Sequence, residues 1–214
     1  RAAQLLRARP DLEVTAIRGN VETRLARALG EDADLDAVVL AASGLQRVGR
    51  DEVISELLPV EVMLPAPAQG ALAVEVSAQA LGGTGSSVSG GGADAGAGAG
   101  TGEPAWFAAR LSAVDDPATR AAVTAERALL RTLEAGCSAP VAAFAQLEDG
   151  TLRLRALAIR PDGTRVVESE SSAPFDVAAD AASGEGSVPA ALGAGLAATL
   201  LEGGAGEILA EAKA

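Results

Sequence analysis

The chain has 214 residues, 49% of them hydrophobic, a formal net charge of −12, one cysteine, and neither histidine nor tyrosine. That length holds one or two modest domains whose core needs no disulfide staples, and a lone cysteine excludes an internal disulfide framework. The negative charge argues against broad nucleic-acid binding, which calls for a basic face. With no histidine or tyrosine, chemistry is left to carboxylates, arginines and the thiol.

In chain order, Ala2–Ala8 reads as the end of a helix closed by Pro10 and Asp11, and Glu13–Ile17 as a short strand. Arg18, Gly19 and Asn20 then turn the chain into a helix over Val21–Leu29, with Asn20 as N-cap and Glu22 in the first turn, where negative charge suits the macrodipole. The run Ala37–Ala41 has no polar alternation, the pattern of a strand buried on both faces of a parallel sheet, and Ser43–Arg47 is a turn at its C-terminal end. Ligands of open α/β sheets bind at those ends, so Arg18, Arg24 and Arg47 form a candidate anion site; solvated surface arginines are the competing reading. Of the 17 Lys and Arg residues only Lys213 is lysine, leaving 16 arginines. Their forked guanidinium suits carboxylates, although a G+C-rich genome also explains the count.

Pro65 and Pro67 deny helix to the segment from Met63, which leads into a β-type run at Ala71–Val76 and suits a crossing between domains. Ten of the 25 glycines fall between Gly82 and Gly102, in an insert (81–103) with nothing to bury and a root-mean-square span of about 25 Å. Pro104–Leu111 is a short predicted helix. Asp116 and Pro117 open a longer one that runs to about Leu133, with Val123, Arg127, Leu130 and Glu134 at helical spacing and Gly136 as the C′ residue. Strands follow at Val141–Leu147, Leu152–Ile159 and Arg165–Ser169, separated by two Asp-Gly hairpin signals, and helices at Val188–Leu201 and Glu207–Ala214 cover one face of that sheet. The longest apolar stretch, Val188–Leu201, is short of the roughly eighteen residues a membrane span needs, and no signal segment opens the sequence, so the expectation is a soluble cytoplasmic protein without a membrane partner.

Cys137 lies where the long helix stops and a loop begins. A loop thiol has room to bond to something, but by itself the observation favours an inert small hydrophobe, as most single cysteines are.

Four stretches together carry a resemblance: RGNVETR at 18–24, LAASGLQR at 40–47, LPAPAQGA at 64–71 and TAERALLRTLEAGCSAP at 124–140. They are long, ordered and specific, and the chain resembles the porphobilinogen deaminase (hydroxymethylbilane synthase) family. The resemblance implies α/β, periplasmic-binding-protein-like doubly wound domains, present in part, followed by a small α+β C-terminal domain with a three-stranded antiparallel sheet. Residues 1–62 would be the second half of domain 2, 63–116 the returning segment of domain 1 with the Gly-rich insert, and 117–214 the C-terminal domain. It also implies that Cys137 carries a dipyrromethane cofactor through a thioether, and that Arg1, Arg18, Arg24 and Arg47 bind the carboxylates of cofactor and growing chain, with Gln69 and Gly70 beside the same cleft. Porphobilinogen is then the small-molecule substrate, no metal is required, and the complete protein is a monomer.

Three residues depart from the family pattern: Ala68 and Ala135 stand where glycine is usual, and Ala139 replaces a β-branched residue. If the Ala135 position needs positive φ, alanine strains the loop there. The family's catalytic aspartate has no counterpart here, so the expectation is a fragment without catalytic residues of its own, inactive alone. A non-catalytic anion-binding module of periplasmic-binding-protein type is the alternative, in which Cys137 would be dispensable. A remnant that no longer binds pyrroles is a third reading.

Overall fold

Asp116 accepts a 2.7 Å hydrogen bond from the Thr119 amide and Pro117 follows it, so a helix starts there with one orphan donor satisfied and another never present. In the computed structural model, which describes residues 1–77, 110–136, 138–178 and 186–212, this is the central element of the C-terminal half. The helices in chain order are α1 (Ala2–Ala8), α2 (Val21–Leu29), α3 (Ala42–Arg47), α4 (Pro117–Thr132), α5 (Val188–Glu202) and α6 (Ala205–Glu211). A 3-10 turn spans Asp51–Val53. The strands are β1 (Val141–Glu148), β2 (Thr151–Ile159) and β3 (Val166–Pro174), in a three-stranded antiparallel sheet of order β1-β2-β3.

The β1–β2 hairpin closes with Glu148 opposite Thr151, and Asp149 and Gly150 both have positive φ, at 48° and 70°. That two-residue turn matches the twist of the strands it joins. The β2–β3 turn uses Gly163 at φ 77°. A Cβ there would lie 2.7 Å from the Ala3 carbonyl oxygen and 2.8 Å from the Arg7 amide, so α1 rests directly on this turn.

One face of the sheet is covered by helices and the other only in part, leaving Gln146 and Arg153 exposed. One packs Ala143, Ala145, Leu152, Leu154 and Ala156 against α4, α5 and α6 through Ala125, Leu129, Leu196, Ala197, Leu200 and Leu209. The other packs Ala142, Leu157 and Ile159 against Ala3 of α1 and Leu64. The family of helices thus lies on one face, while α1 and the segment around Leu64 lie on the other.

Several expectations are corrected. Glu13–Ile17, Ala37–Ala41 and Ala71–Val76 are not strands: no described segment lies alongside to take their hydrogen bonds, and Leu72 and Val74 are 87% and 65% exposed. Ala37–Ala41 is therefore not buried on two faces. Residues 43–47 are not a turn but most of α3. The buried residues of α4 are Ala121, Ala125, Glu126, Ala128 and Leu129, so small alanines form most of the side that faces its close neighbour. β3 extends five residues beyond the expected Ser169, to Pro174. The Gly-rich insert 81–103, most of the helix expected at Pro104–Leu111, and Cys137 lie outside the described residues. Among the described residues no single helix is long and apolar enough to cross a membrane.

Candidate functional site

The segment that follows Leu64 is fastened along the outer edge of β1. Gln4, buried on α1, exchanges both amide hydrogen bonds with Leu64: its Nε2 donates to the Leu64 carbonyl at 3.0 Å and its Oε1 accepts from the Leu64 amide at 2.8 Å. One residue on, the Pro65 carbonyl accepts from the Ala143 amide of β1 at 3.1 Å. Then the Ala68 amide donates to Oε2 of Glu126, whose Oε1 accepts from the Ala145 amide at 2.7 Å. Edge-strand donors that water would otherwise have to meet are thus taken by a carbonyl and a carboxylate.

Ala68 has φ 62°, the left-handed region that alanine enters only at a cost. The strain expected at Ala135 is not found there, where φ is not positive; it is found here, at another position where the family pattern has glycine. The end of α4 is a Schellman closure in which the Glu134 amide donates to the Arg131 carbonyl and the Ala135 amide to the Leu130 carbonyl, both at 3.0 Å. The left-handed C′ residue is Glu134, with φ 49°, rather than Gly136 as expected.

Directly after Ala68, the Gln69 side chain accepts from the Arg1 guanidinium, so two of the expected site residues meet. Gly70 is exposed with open space around its Cα. Arg1 and Gln4 also line a cleft of about 200 Å³ with Leu64, Ala139, Pro140 and Ile159. Its far wall is the chain immediately after Cys137, where the Ala139 amide donates to the Gly136 carbonyl at 3.0 Å. Cys137 itself lies outside the described residues.

Arg18 precedes the cap of α2, Arg24 sits in its body, and Arg47 is the last residue of α3. Asn20 caps α2 by accepting from the Thr23 amide at 2.8 Å. The two helices meet at Val21 and Gly44, where a Cβ on the glycine would lie 3.9 Å from Val21 Cγ2, and Arg50 ties the chain after α3 back to Glu22 at 2.7 Å. Arg7, Arg9, Arg27, Arg50, Arg120, Arg160 and Arg165 are all in ion pairs. Arg18, Arg24 and Arg47 enter none of those formed among the described residues. Nor do Arg153 and Arg155 on β2, so freedom from ion pairs alone does not single out a site. What does is Arg24 Nε, which is buried and without a hydrogen-bond partner among the described residues. A buried guanidinium N–H left unmet carries a desolvation penalty that an anionic oxygen relieves.

Two residues that organise this region were not among the expected site residues. Gln4 gave no signal in the sequence. Glu126 did: it is a carboxylate one residue from Ala125 and three from Leu129, on the face of α4 that turns inward, and it is only 5% exposed. Burial pushes its carboxyl above the ordinary range, opposed by the amide hydrogen bonds from Ala68 and Ala145.

Two family models match the chain. Residues 1–81 match the model described as "Porphobilinogen deaminase, dipyromethane cofactor binding domain", and residues 120–202 the one described as "Porphobilinogen deaminase, C-terminal domain". Curated relatives carry the same name. The porphobilinogen deaminase of Desulforudis audaxviator is 42% identical over 100% of this chain and 57% of its own length. That of Thermobifida fusca is 42% identical over 100% of this chain and 58% of its own. That of Micrococcus luteus is 43% identical over 82% of this chain and 49% of its own. The chain thus spans a little over half the length of the relatives it matches along its whole extent.

Proposed function

Because this chain belongs to the porphobilinogen deaminase family, we propose that it is the primer-carrying part of a hydroxymethylbilane synthase, a transferase of tetrapyrrole biosynthesis. Cys137 anchors dipyrromethane through a thioether, and Arg1, Arg18, Arg24 and Arg47, with Gln69 and Gly70, hold the carboxylates of primer and growing chain. The observation that carries this reading is the Nε of Arg24, buried and without a hydrogen-bond partner among the described residues. A pyrrole bearing two carboxylates fits that donor set, since a forked guanidinium binds a carboxylate bidentately and arginine stays charged at every working pH.

When bound, dipyrromethane supplies the pyrrole terminus onto which four porphobilinogen units condense with loss of ammonia. The chain's own contribution is anchoring and charge. Nearby arginines are one means by which a thiol is shifted toward its thiolate, the form that makes the carbon–sulfur bond. The guanidinium groups neutralise carboxylates whose number grows with each unit added. This chain has no counterpart of the family's catalytic aspartate, so without the remainder of the protein it anchors and binds but does not turn over.

The three unpaired segments, 13–17, 37–41 and 71–76, belong in this reading to periplasmic-binding-protein-like doubly wound domains that the rest of the protein completes. Their exposed apolar side chains, Val14, Val39, Leu72 and Val74, support it, because extended apolar chain without a neighbour leaves both backbone and side chains unsatisfied. The complete enzyme is proposed to be a monomer in the cytoplasm acting on porphobilinogen alone.

The test is the intact mass of the chain and of Cys137→Ala before and after incubation with hydroxymethylbilane, which supplies the primer. A gain of two linked pyrroles, absent in the alanine variant, is expected. Absence of that gain in a protein extended to the relatives' full length would overturn the reading.

A further inference from the structure

Glu126 is the only buried carboxylate among the described residues, and no cation accompanies it. Its two oxygens instead serve two backbone donors from separate parts of the chain, the Ala145 amide on the edge of β1 and the Ala68 amide in the segment that crosses from Leu64. Burying a carboxylate is costly unless its hydrogen-bonding capacity is filled, so a residue in this position has a reason beyond filling space. An apolar side chain would fill the space with less penalty but leave two backbone donors unmet. Glutamine has the same size but one acceptor oxygen, and its amide group would face an N–H.

The consequence reaches the cleft. Ala68 is held left-handed by this hydrogen bond, the next residue is Gln69, and Gln69 accepts from Arg1. The same helix that bears Glu126 ends in the Schellman closure just before Cys137. We infer that Glu126 is a positioning residue: its carboxylate clamps Ala68 against β1 and thereby sets Gln69 and, through their hydrogen bond, Arg1, which lines the cleft with Ala139 and Pro140. The functional weight of this clamp rests on the reading of Arg1 and Gln69 as carboxylate-binding residues, but its test does not.

The test is residue-resolved amide hydrogen exchange on the 214-residue chain. In Glu126→Gln, exchange at Ala68 or Ala145 should rise by about tenfold or more, the scale of losing one hydrogen bond to a charged acceptor, with Gln69 following Ala68. Ala197 and Leu200, buried on α5, should be unchanged. Ala68→Gly on the Glu126→Gln background should return Gln69 exchange toward the unsubstituted value, because glycine holds positive φ without help. Unchanged exchange at both amides, an equal rise at Ala197 and Leu200, or further loosening by Ala68→Gly would each overturn the inference. If Glu126→Gln does not fold, the unsubstituted chain decides: the amide protons of Ala68 and Ala145 should titrate with the same midpoint as the Glu126 carboxyl carbon, and separate midpoints refute the clamp. None of these measurements needs primer, so they stand or fall independently of the mass gain at Cys137.

Discussion

Replacing Gly193 with alanine tests how tightly the helix bearing Glu126 is held. Gly193 lies on the buried face of α5, where an added Cβ would sit 2.1 Å from the Ala125 carbonyl oxygen and 2.9 Å from Ala128 Cβ, both on α4. An unstrained C···O contact is about 3.3 Å or more, so the helices must separate by roughly 1.2 Å. The atom in the way is backbone and cannot rotate aside. Separation also loosens Leu192, Leu196 and Ala197 from Ala121, Ala125 and Leu129, which share one core. Overpacking of this kind costs about 3 kcal/mol, equivalent to a fall in Tm of about 6–12 °C in a chain of this size. Gly195, two residues along, is the internal control: it is exposed with nothing within 4 Å of an added Cβ, and alanine there should stabilise by up to about 1 kcal/mol. Urea titration followed by circular dichroism reads both. A Gly193→Ala midpoint within about 0.5 kcal/mol of the unsubstituted chain, or the same sign for both variants, would refute the packing argument.

Asn20→Ala removes the side chain that accepts from the Thr23 amide and should cost about 1 kcal/mol of α2 stability, seen as faster exchange of the α2 amides; no change there would mean the cap contributes nothing. Glu126 also sets a pH dependence. Its folded carboxyl is raised by burial, so the folded chain keeps a proton that the unfolded chain has released. Its contribution is therefore full below the ordinary carboxylate range and is lost as pH rises through the folded value. Comparing urea midpoints, the chain should be favoured over Glu126→Gln more at about pH 4 than at about pH 7; the opposite order would show that its hydrogen bonds outweigh its burial. The exposed Asp34 and Asp116 are held low, by Arg27 and by the Thr119 amide respectively, so their contributions run the other way and are lost on acidification.

Elements with a local stop or start signal were legible in the sequence. Asn20, Asp116 and Pro117 fixed the starts of α2 and α4 within the chain itself, and the Asp-Gly pairs marked both hairpins. The runs at 37–41 and 71–76 were misread because an apolar stretch reports what a segment is suited to, and a strand exists only where a second segment takes its hydrogen bonds. In α4 the inward side was not assigned from the sequence, since Ala121, Ala125 and Ala128 carry weaker hydrophobic signal than Val123 and Leu130 yet are buried. For the site, Arg1 and Gln69 were expected near one cleft and are in contact. Glu126 was visible only as a charge on an inward face, a pattern that needs the fold before its partners can be named.

The arginines stand on parts of the chain that differ in how firmly they are held. Arg24 is carried by α2, whose order depends on the Asn20 cap and on the Arg50–Glu22 tie, and whose core contribution among its own residues is a single buried side chain, Leu25. Arg1 instead stands at the start of α1, which is seated on Gly163 and clamped by the Gln4–Leu64 exchange. One cation is thus fixed to the well-packed C-terminal sheet and another to a thinly supported helix. A carboxylate-bearing ligand that engaged both would favour the arrangement in which α2 is docked, and by mass action would stabilise it.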